Sequence, residues 1–219
     1  MAELNAQTGD FVGKLAMFCV MLGALWLLVM VIVGGATFPG YSHVSQYISE
    51  LGANGAPQGW LVSYAGFLPV GVLICAFGLF AWLAAPRSLL STLGFIGVEL
   101  FSIGYIAAAF FRCDYGCRPE QPSVSQQMHN MFGLLGYLFA PLCLLLLGLA
   151  ARKWPNAGAL AVHGYIAATV ALIGLATLIP DSPYAGLSQR LIEAAMLSWV
   201  VACGLYLGRQ PRERYVATP

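Results

Sequence analysis

Six apolar stretches, each about 20 residues long, occupy most of the 219-residue chain. Their approximate bounds are residues 11–35, 59–84, 89–111, 128–150, 158–179 and 187–208. A helix rises about 1.5 Å per residue, so each stretch can cross a hydrocarbon core of roughly 30 Å. Because the core contains no water, the backbone must pair its own polar groups, which favours helix. The pattern predicts an all-α, polytopic bundle of six transmembrane helices.

The composition agrees with a membrane protein. Charged residues make up 9% of the chain, against about 25% in soluble domains. Six spans and their loops use the whole length, so we expect one domain over residues 1–219. The net charge of +1 offers no basic surface for nucleic acid,. The first apolar stretch is too long for a signal peptide and no A-x-A site closes it, so we expect it to be retained.

The basic residues predict that both termini are cytoplasmic, because such residues are enriched in cytoplasmic loops. With that orientation, seven basic residues lie on the cytoplasmic side and three on the external side. The seven are Lys14, Arg87, Arg152, Lys153, Arg209, Arg212 and Arg214. The three are Arg112, Arg118 and Arg190.

The predicted external loops hold most of the unusual polar residues. They cover residues 36–58, 112–127 and 180–186, and loops as long as the first two are often functional. In the first loop, apolar residues at i, i+3, i+4 and i+7 predict a short interfacial or re-entrant helix over Ser45–Leu51,. Its polar side chains would approach the second loop and span four: Ser45, Ser49 and Glu50 on one side, Asp114 and His129 on the other.

Cys113 and Cys117 lie four residues apart in the second external loop. An oxidising compartment would allow them to form a disulfide. A metal site that uses both thiols and a plain reduced pair are the alternatives. The other four cysteines lie within spans, where cysteine behaves as a small apolar residue,.

Two histidines, His43 and His129, are predicted on the external face, where they could meet. With nearby acids they could form a hydrolytic zinc site. Those acids are Glu50, Asp114 and Asp181. No motif such as H-E-x-x-H supports a metal, so we favour histidines that hydrogen-bond loops and expect no metal and no cofactor. His163 is predicted in the opposite leaflet from His129, which argues against a haem held by both.

Two acids lie within predicted spans. Glu99 is about ten residues into span three, where an ionised carboxylate costs about 2.5–3.5 kcal/mol and needs a partner, a cavity or a proton. Glu193 is nearly two turns inside span six, and Arg190 at i−3 is its expected partner,. The alternative for both acids is a polar pocket that opens to the external side.

The two loop signatures also carry a family resemblance. The run SHVSQYISELGANGAP (Ser42–Pro57), the run FRCDYGC (Phe111–Cys117) and His129 resemble the domain-of-unknown-function 998 family of bacterial six-span membrane proteins. That resemblance implies six helices and a bacterial cytoplasmic membrane, and brings no reaction. More distantly, Ile48, Ser49, Glu50, Gly52, Asp114 and His129 are similar to a pattern in Frag1/DRAM/Sfk1-like membrane proteins, which are associated with lipid remodelling. Glu50 stands where those families carry Asp.

These observations predict a protein whose partner is a membrane lipid, bound at the external polar cluster. The candidate ligand-binding residues are His43, Ser45, Ser49, Arg112, Asp181, Arg190 and Glu193, and arginines suit an anionic headgroup. One alternative is a lipid-modifying enzyme with His129 as general base and Asp114 or Glu50 orienting it. Another is a small transporter or assembly subunit. We expect His129 and Asp114 to matter more than Glu99.

Overall fold

A computed structural model describes residues 2–209, with side chains from residue 10 onward. Arg212 and Arg214 lie outside the described residues. Within these residues the chain forms six helices long and apolar enough to cross a membrane, which confirms the predicted fold class. They are α1 (Ala2–Thr37), α2 (Gly59–Ala84), α3 (Leu89–Phe110), α4 (Val124–Ala151), α5 (Gly158–Thr177) and α6 (Ala185–Arg209).

The helices form a closed ring. Each helix packs against its neighbours in sequence, α6 returns to pack against α1, and α6 also touches α2 and α4. Small residues allow close approach, as membrane helices require. A Cβ added to Gly97 of α3 would lie 2.3 Å from Cys143 Cβ of α4. A Cβ on Gly164 of α5 would lie 2.6 Å from Gly148 Cα of α4. The glycines at these contacts therefore determine how closely α3, α4 and α5 pack.

A proline in α2 is accommodated by a neighbouring helix. Pro69 has no N–H, so the Ala65 carbonyl four residues earlier loses its usual helical donor. The α2 backbone widens into a π-helical turn at Val62–Phe67. Trp26 of α1 donates its indole N–H to the Ala65 carbonyl at 2.7 Å. A side chain of the preceding helix, α1, thus satisfies the carbonyl, as membrane interiors demand.

The two ends of the ring differ in their connections. Residues 38–58, 111–123 and 178–184 connect helices at one end, which we call the long-loop end. Residues 85–88 and 152–157 connect helices at the other end, where α1 begins and α6 ends. The polar loops singled out in the sequence therefore share one end of the bundle.

The first long loop contains a 3-10 helix at Ile48–Gly52 instead of the predicted helix over Ser45–Leu51. Tyr47 has an extended backbone, so a helix cannot pass through it. The Glu50 carboxylate accepts the Tyr47 N–H at 2.9 Å, which caps the helix start. The apolar spacing located the segment correctly, and the cap delays its start to Ile48.

The three long loops are held together, as predicted for the first two. Asn54 donates its backbone N–H to the Cys113 carbonyl at 2.8 Å, which joins the first loop to the second. Arg118 of the second loop lies 3.7 Å from Glu50 of the first. Arg118 also donates to the Pro180 carbonyl of the third loop. The second loop therefore bridges the other two.

Candidate functional site

Two adjoining hollows lie at the long-loop end. The inner cavity has a volume of about 70 Å³, and its polar lining is Ser49, Tyr105, His129, Tyr137, Gln189 and Glu193. The outer cleft has a volume of about 290 Å³, and its own lining includes Tyr47, Arg118, Asn130, Leu134, Leu178 and Pro180. Both hollows share Ser49, His129, Gly133, Tyr137 and Gln189. The inner cavity and the outer cleft therefore adjoin at these residues.

Glu193 of α6 lies in the wall of the inner cavity and is 6% exposed. Tyr105 of α3 donates to its Oε2 at 2.5 Å, and Tyr137 of α4 donates to its Oε1 at 2.6 Å. Gln189 Nε2, one turn earlier on α6, donates to the Tyr137 hydroxyl at 2.8 Å. Because Tyr137 accepts from Gln189, its own hydrogen is directed at Glu193. Three helices thus converge on one carboxyl group.

The predicted Arg190–Glu193 ion pair is wrong. Glu193 points into the bundle, where the two phenols lie, and Arg190 points towards the first loop. The Arg190 guanidinium donates to four groups: Tyr41 Oη (2.7 Å), His43 Nδ1 (2.9 Å), the Gln46 carbonyl (2.9 Å) and the Gly186 carbonyl (3.0 Å). The absence of a side chain at Gly186 permits this approach, because a Cβ there would lie 2.2 Å from the Gln46 carbonyl oxygen. Arg190 therefore anchors the first loop to α6.

His43 belongs to this anchor and lines neither hollow. It accepts from Arg190 through Nδ1, so it is neutral with its hydrogen on Nε2. Burial and then the Arg190 charge lower the pKa of His43 below its usual 6.5. Burial raises the pKa of the neighbouring Tyr41 phenol, and Arg190 opposes that rise. His43 is thus occupied at the anchor and does not join His129.

His129 stands at the junction of the two hollows. Its Nδ1 lies 2.9 Å from the Phe111 carbonyl oxygen. A carbonyl only accepts, so Nδ1 carries the hydrogen and Nε2 carries the lone pair. The ring can therefore accept a hydrogen bond or a proton from a bound molecule.

Asp114 and Glu50 do not join His129 in the predicted catalytic arrangement. Both Asp114 oxygens accept from Ser123, from its N–H at 2.9 Å and its hydroxyl at 2.8 Å. Glu50 accepts from Gln46 Nε2 at 2.8 Å and from the loop backbone. Neither acid lines a hollow. Both carboxylates instead hold loop structure, and only His129 of the three faces the inner cavity.

Cys113 and Cys117 form a disulfide next to the outer cleft. The Ser49 hydroxyl lies 3.5 Å from Cys117 Sγ. In the described part of the chain, Cys113, Cys117 and His129 place one ligand-type atom each within 4.8 Å of one another. Sulfur ligates metals as thiolate, so the bonded pair does not supply such ligands. The disulfide instead fixes the loop that borders the cleft.

The other predicted site residues lie apart from both hollows, with one exception. Ser49 lines both hollows. Ser45 donates its N–H to Ser42 in a turn, and Arg112 contributes its carbonyl to Ser125 at 2.7 Å. Asp181 is exposed in the third loop.

The intramembrane acid Glu99 lies between α3 and α2, away from the inner cavity. A Cβ on Gly78 of α2 would lie 2.2 Å from Glu99 Oε1, so the carboxyl group fills the space that the glycine leaves. This buried oxygen has no hydrogen-bond partner.

Four important residues escaped sequence reasoning: Tyr105, Gln126, Tyr137 and Gln189. Gln126 is 1% exposed, accepts the Asp114 N–H at 2.9 Å and donates to the Cys117 carbonyl at 3.2 Å, so it sets the second loop. The available signal was Gln189 four residues before Glu193, which places two polar groups on one helix face. Which tyrosines face them depends on helix rotation, which the sequence does not give.

A family model described as "Protein of unknown function (DUF998)" matches residues 21–206. The chain belongs to this family. The match spans the lining of both hollows and thus the whole site in the DUF998 chain. No curated protein and no solved structure matches it. The family description carries no reaction, so the chemistry must be argued from the residues of the site.

Proposed function

We propose that the protein binds a membrane lipid at the long-loop end, with its polar headgroup in the inner cavity and its apolar part leaving through the outer cleft. One observation carries this proposal. The inner cavity, which Glu193 lines, shares five lining residues with a cleft that reaches Leu134, which is 58% exposed on α4. A path from a buried polar floor to the membrane-facing surface suits an amphipathic molecule.

The positions of the arginines do not favour the anionic headgroup that the sequence predicted. Arg190 is fully engaged at the loop anchor. Arg118 lies over the Tyr47 ring at 5.4 Å and near Glu50 at the rim of the outer cleft. Neither guanidinium lines the inner cavity. The headgroup site is therefore built around an acid.

The decisive experiment fills the junction of the two hollows. Gly133 lines both hollows and a Cβ there meets nothing within 4 Å, so the side chain of Gly133→Leu starts in open space at their junction. Gly158→Leu is the matched control, because a Cβ there is equally free and lies at the other end of the bundle. Lipid that co-purifies with the protein is measured by native mass spectrometry. We expect Gly133→Leu to lose the lipid and Gly158→Leu to keep it; equal retention by both overturns the proposal.

We infer that the long-loop end faces away from the cytoplasm of a bacterial cell. Arg87, Arg152, Lys153 and Arg209 lie at the opposite end, and basic residues favour the cytoplasmic side. A disulfide between Cys113 and Cys117 suits an oxidising compartment,. A cysteine placed at the exposed Gln121 should react with an impermeant thiol reagent added outside the cell. Reaction only from the cytoplasmic side contradicts this orientation.

A lipid-modifying reaction is the second candidate function, because His129 presents a basic Nε2 at the junction of the two hollows. Such a nitrogen can act as a general base. His129→Asn keeps an amide N–H for the Phe111 carbonyl but removes the base. An enzyme would accumulate intact lipid in the variant and a modified lipid in the parent. The same bound lipid in both proteins favours binding without turnover.

A further inference from the structure

Four aromatic side chains line the inner cavity together with Glu193. Phe67 of α2, Phe101 and Tyr105 of α3 and Tyr137 of α4 all line it. Their ring centroids lie 6.1 Å apart for Phe67–Tyr105, 5.7 Å for Phe101–Tyr105 and 6.1 Å for Phe101–Tyr137. Each ring face carries partial negative charge, which attracts cations. The cavity lining therefore combines four aromatic rings with one acid, and both kinds of group attract cations,.

The hydrogen bonds around Glu193 suit its ionised form. Both carboxylate oxygens accept a phenol hydrogen, from Tyr105 and from Tyr137. Gln189 fixes the direction of the second bond by donating to the Tyr137 hydroxyl. Hydrogen bonds donated to a carboxylate stabilise its charge. The carboxylate is thus held in place by neutral donors.

This buried acid has no cationic side chain as a partner. Among the described residues the ion pairs within 4.0 Å are Lys14–Asp10 and Arg118–Glu50. Arg190, one turn away, donates to groups of the loop anchor instead. A buried charge is costly unless it is paired. The carboxyl group therefore either takes up a proton or is paired by a bound cation.

The remaining polar groups of the cavity also accept hydrogen bonds. His129 presents the lone pair of Nε2, and the Ser49 hydroxyl can accept as well as donate,. A ligand that fits this lining brings N–H donors or polarised methyl groups and a positive charge. Aromatic rings with a carboxylate are a known means of recognising ammonium groups.

We propose that the inner cavity binds an alkylammonium group, held by Glu193 and the four rings. This inference rests on the proposed lipid binding for the source of that group, which is then an amine-bearing lipid headgroup. A free alkylammonium ion offers the same chemistry. The experiment separates the two sources.

The test compares two lipids with identical acyl chains on the full-length protein in detergent. Phosphatidylethanolamine carries an ammonium group and phosphatidylglycerol does not. Native mass spectrometry measures how much of each lipid stays bound. We expect a preference of about tenfold or more for phosphatidylethanolamine, from charge pairing and cation–π attraction together. Glu193→Gln should abolish the preference, and Phe101→Leu should weaken it.

Two controls keep the result interpretable. Glu120→Gln makes the same chemical change on an exposed carboxyl group of the second loop and should keep the preference. Choline and its neutral isostere 3,3-dimethylbutanol are added to the unmodified protein, which needs no variant to fold. Choline should displace phosphatidylethanolamine and raise the unfolding temperature, and the isostere should do neither.

The outcomes separate this inference from the function on which it rests. If both lipids bind equally and Gly133→Leu removes both, the ammonium inference is wrong and lipid binding stands. If no lipid is retained but choline alone stabilises the protein, the ammonium site stands and lipid binding is wrong. If neither lipid nor choline has an effect, both are wrong.

Discussion

Arg190 and Glu193 lie one turn apart on α6, carry opposite charges and serve different regions of the molecule. Arg190 donates to four neutral acceptors at the loop anchor. Glu193 accepts from two phenols, and its carboxylate also borders a cavity. The Arg190 guanidinium is bonded to groups of the protein itself, so its role is structural. The Glu193 carboxyl group lines the cavity, so a ligand can reach it.

The largest expected effect is a difference in stability between variants of Arg190 and Glu193. Arg190→Gln removes most of the guanidinium donors and leaves partly buried acceptors of the loop anchor unpaired, at a cost of about 3 kcal/mol for the bonds together,. Glu193→Gln keeps a polar group of the same size beside the two phenols and should change stability by under about 1 kcal/mol. Thermal unfolding of both variants in detergent measures the difference. An equal loss in the two variants would make Glu193 a structural residue as well.

The next effect tests the same contrast through backbone contacts. A Cβ on Gly186 would lie 2.2 Å from the Gln46 carbonyl oxygen, so Gly186→Ala should push the first loop from α6 and cost about 1–3 kcal/mol. Gly133→Ala adds the same atom to open space at the cavity. Alanine favours helix over glycine, so this control should be neutral or slightly stabilising. Unfolding temperatures that fall equally would contradict the described loop anchor.

The fold was predictable from sequence because the bilayer imposes a strong constraint. Apolar length alone placed six spans, and the helices agree with those bounds within about four residues at either end, except that α1 begins at Ala2 rather than at residue 11,. α4 begins at Val124 rather than at residue 128, because Ser123 caps it by accepting the Gln126 N–H. Polar residues before the apolar stretch therefore belong to the helix. A prediction based only on the length of apolar stretches leaves them out.

The site was less predictable, because it depends on helix rotation and on contacts distant in sequence. Spacing of three residues suggested that Arg190 and Glu193 pair, but each finds better partners on other elements. Tyr105 and Tyr137 carried no local signal, and their role follows only from the convergence of α3, α4 and α6. Sequence reasoning did place His129 and Ser49 at this end of the bundle, since loop position alone sufficed.

The third effect tests whether the disulfide serves the cleft rather than the anchor. Cys113 and Cys117 close a ring of few residues, so Cys113→Ser with Cys117→Ser should cost about 2 kcal/mol by the chain-entropy estimate,. Hydrogen exchange should rise in the second loop, where Gln126 and Cys117 are joined. Residues near the Arg190 anchor should exchange as before. Increased exchange at both places would mean that the two regions are one cooperative unit.

The smallest effect is a pH dependence confined to the anchor. Because the pKa of folded His43 lies below its ordinary 6.5, the anchor's stabilisation is complete above that value. It is lost as pH falls through the folded pKa. Protonated His43 cannot accept from Arg190, and two cations then face each other beside Tyr41.

We expect a slightly lower unfolding temperature at about pH 5.5 than at about pH 7.5. His43 is exposed, so solvent screening keeps this change smaller than those above. His43→Asn should reduce the difference, because its amide oxygen accepts from Arg190 without titrating. An unchanged pH dependence in this variant would assign the titration to another group and leave the anchor independent of pH.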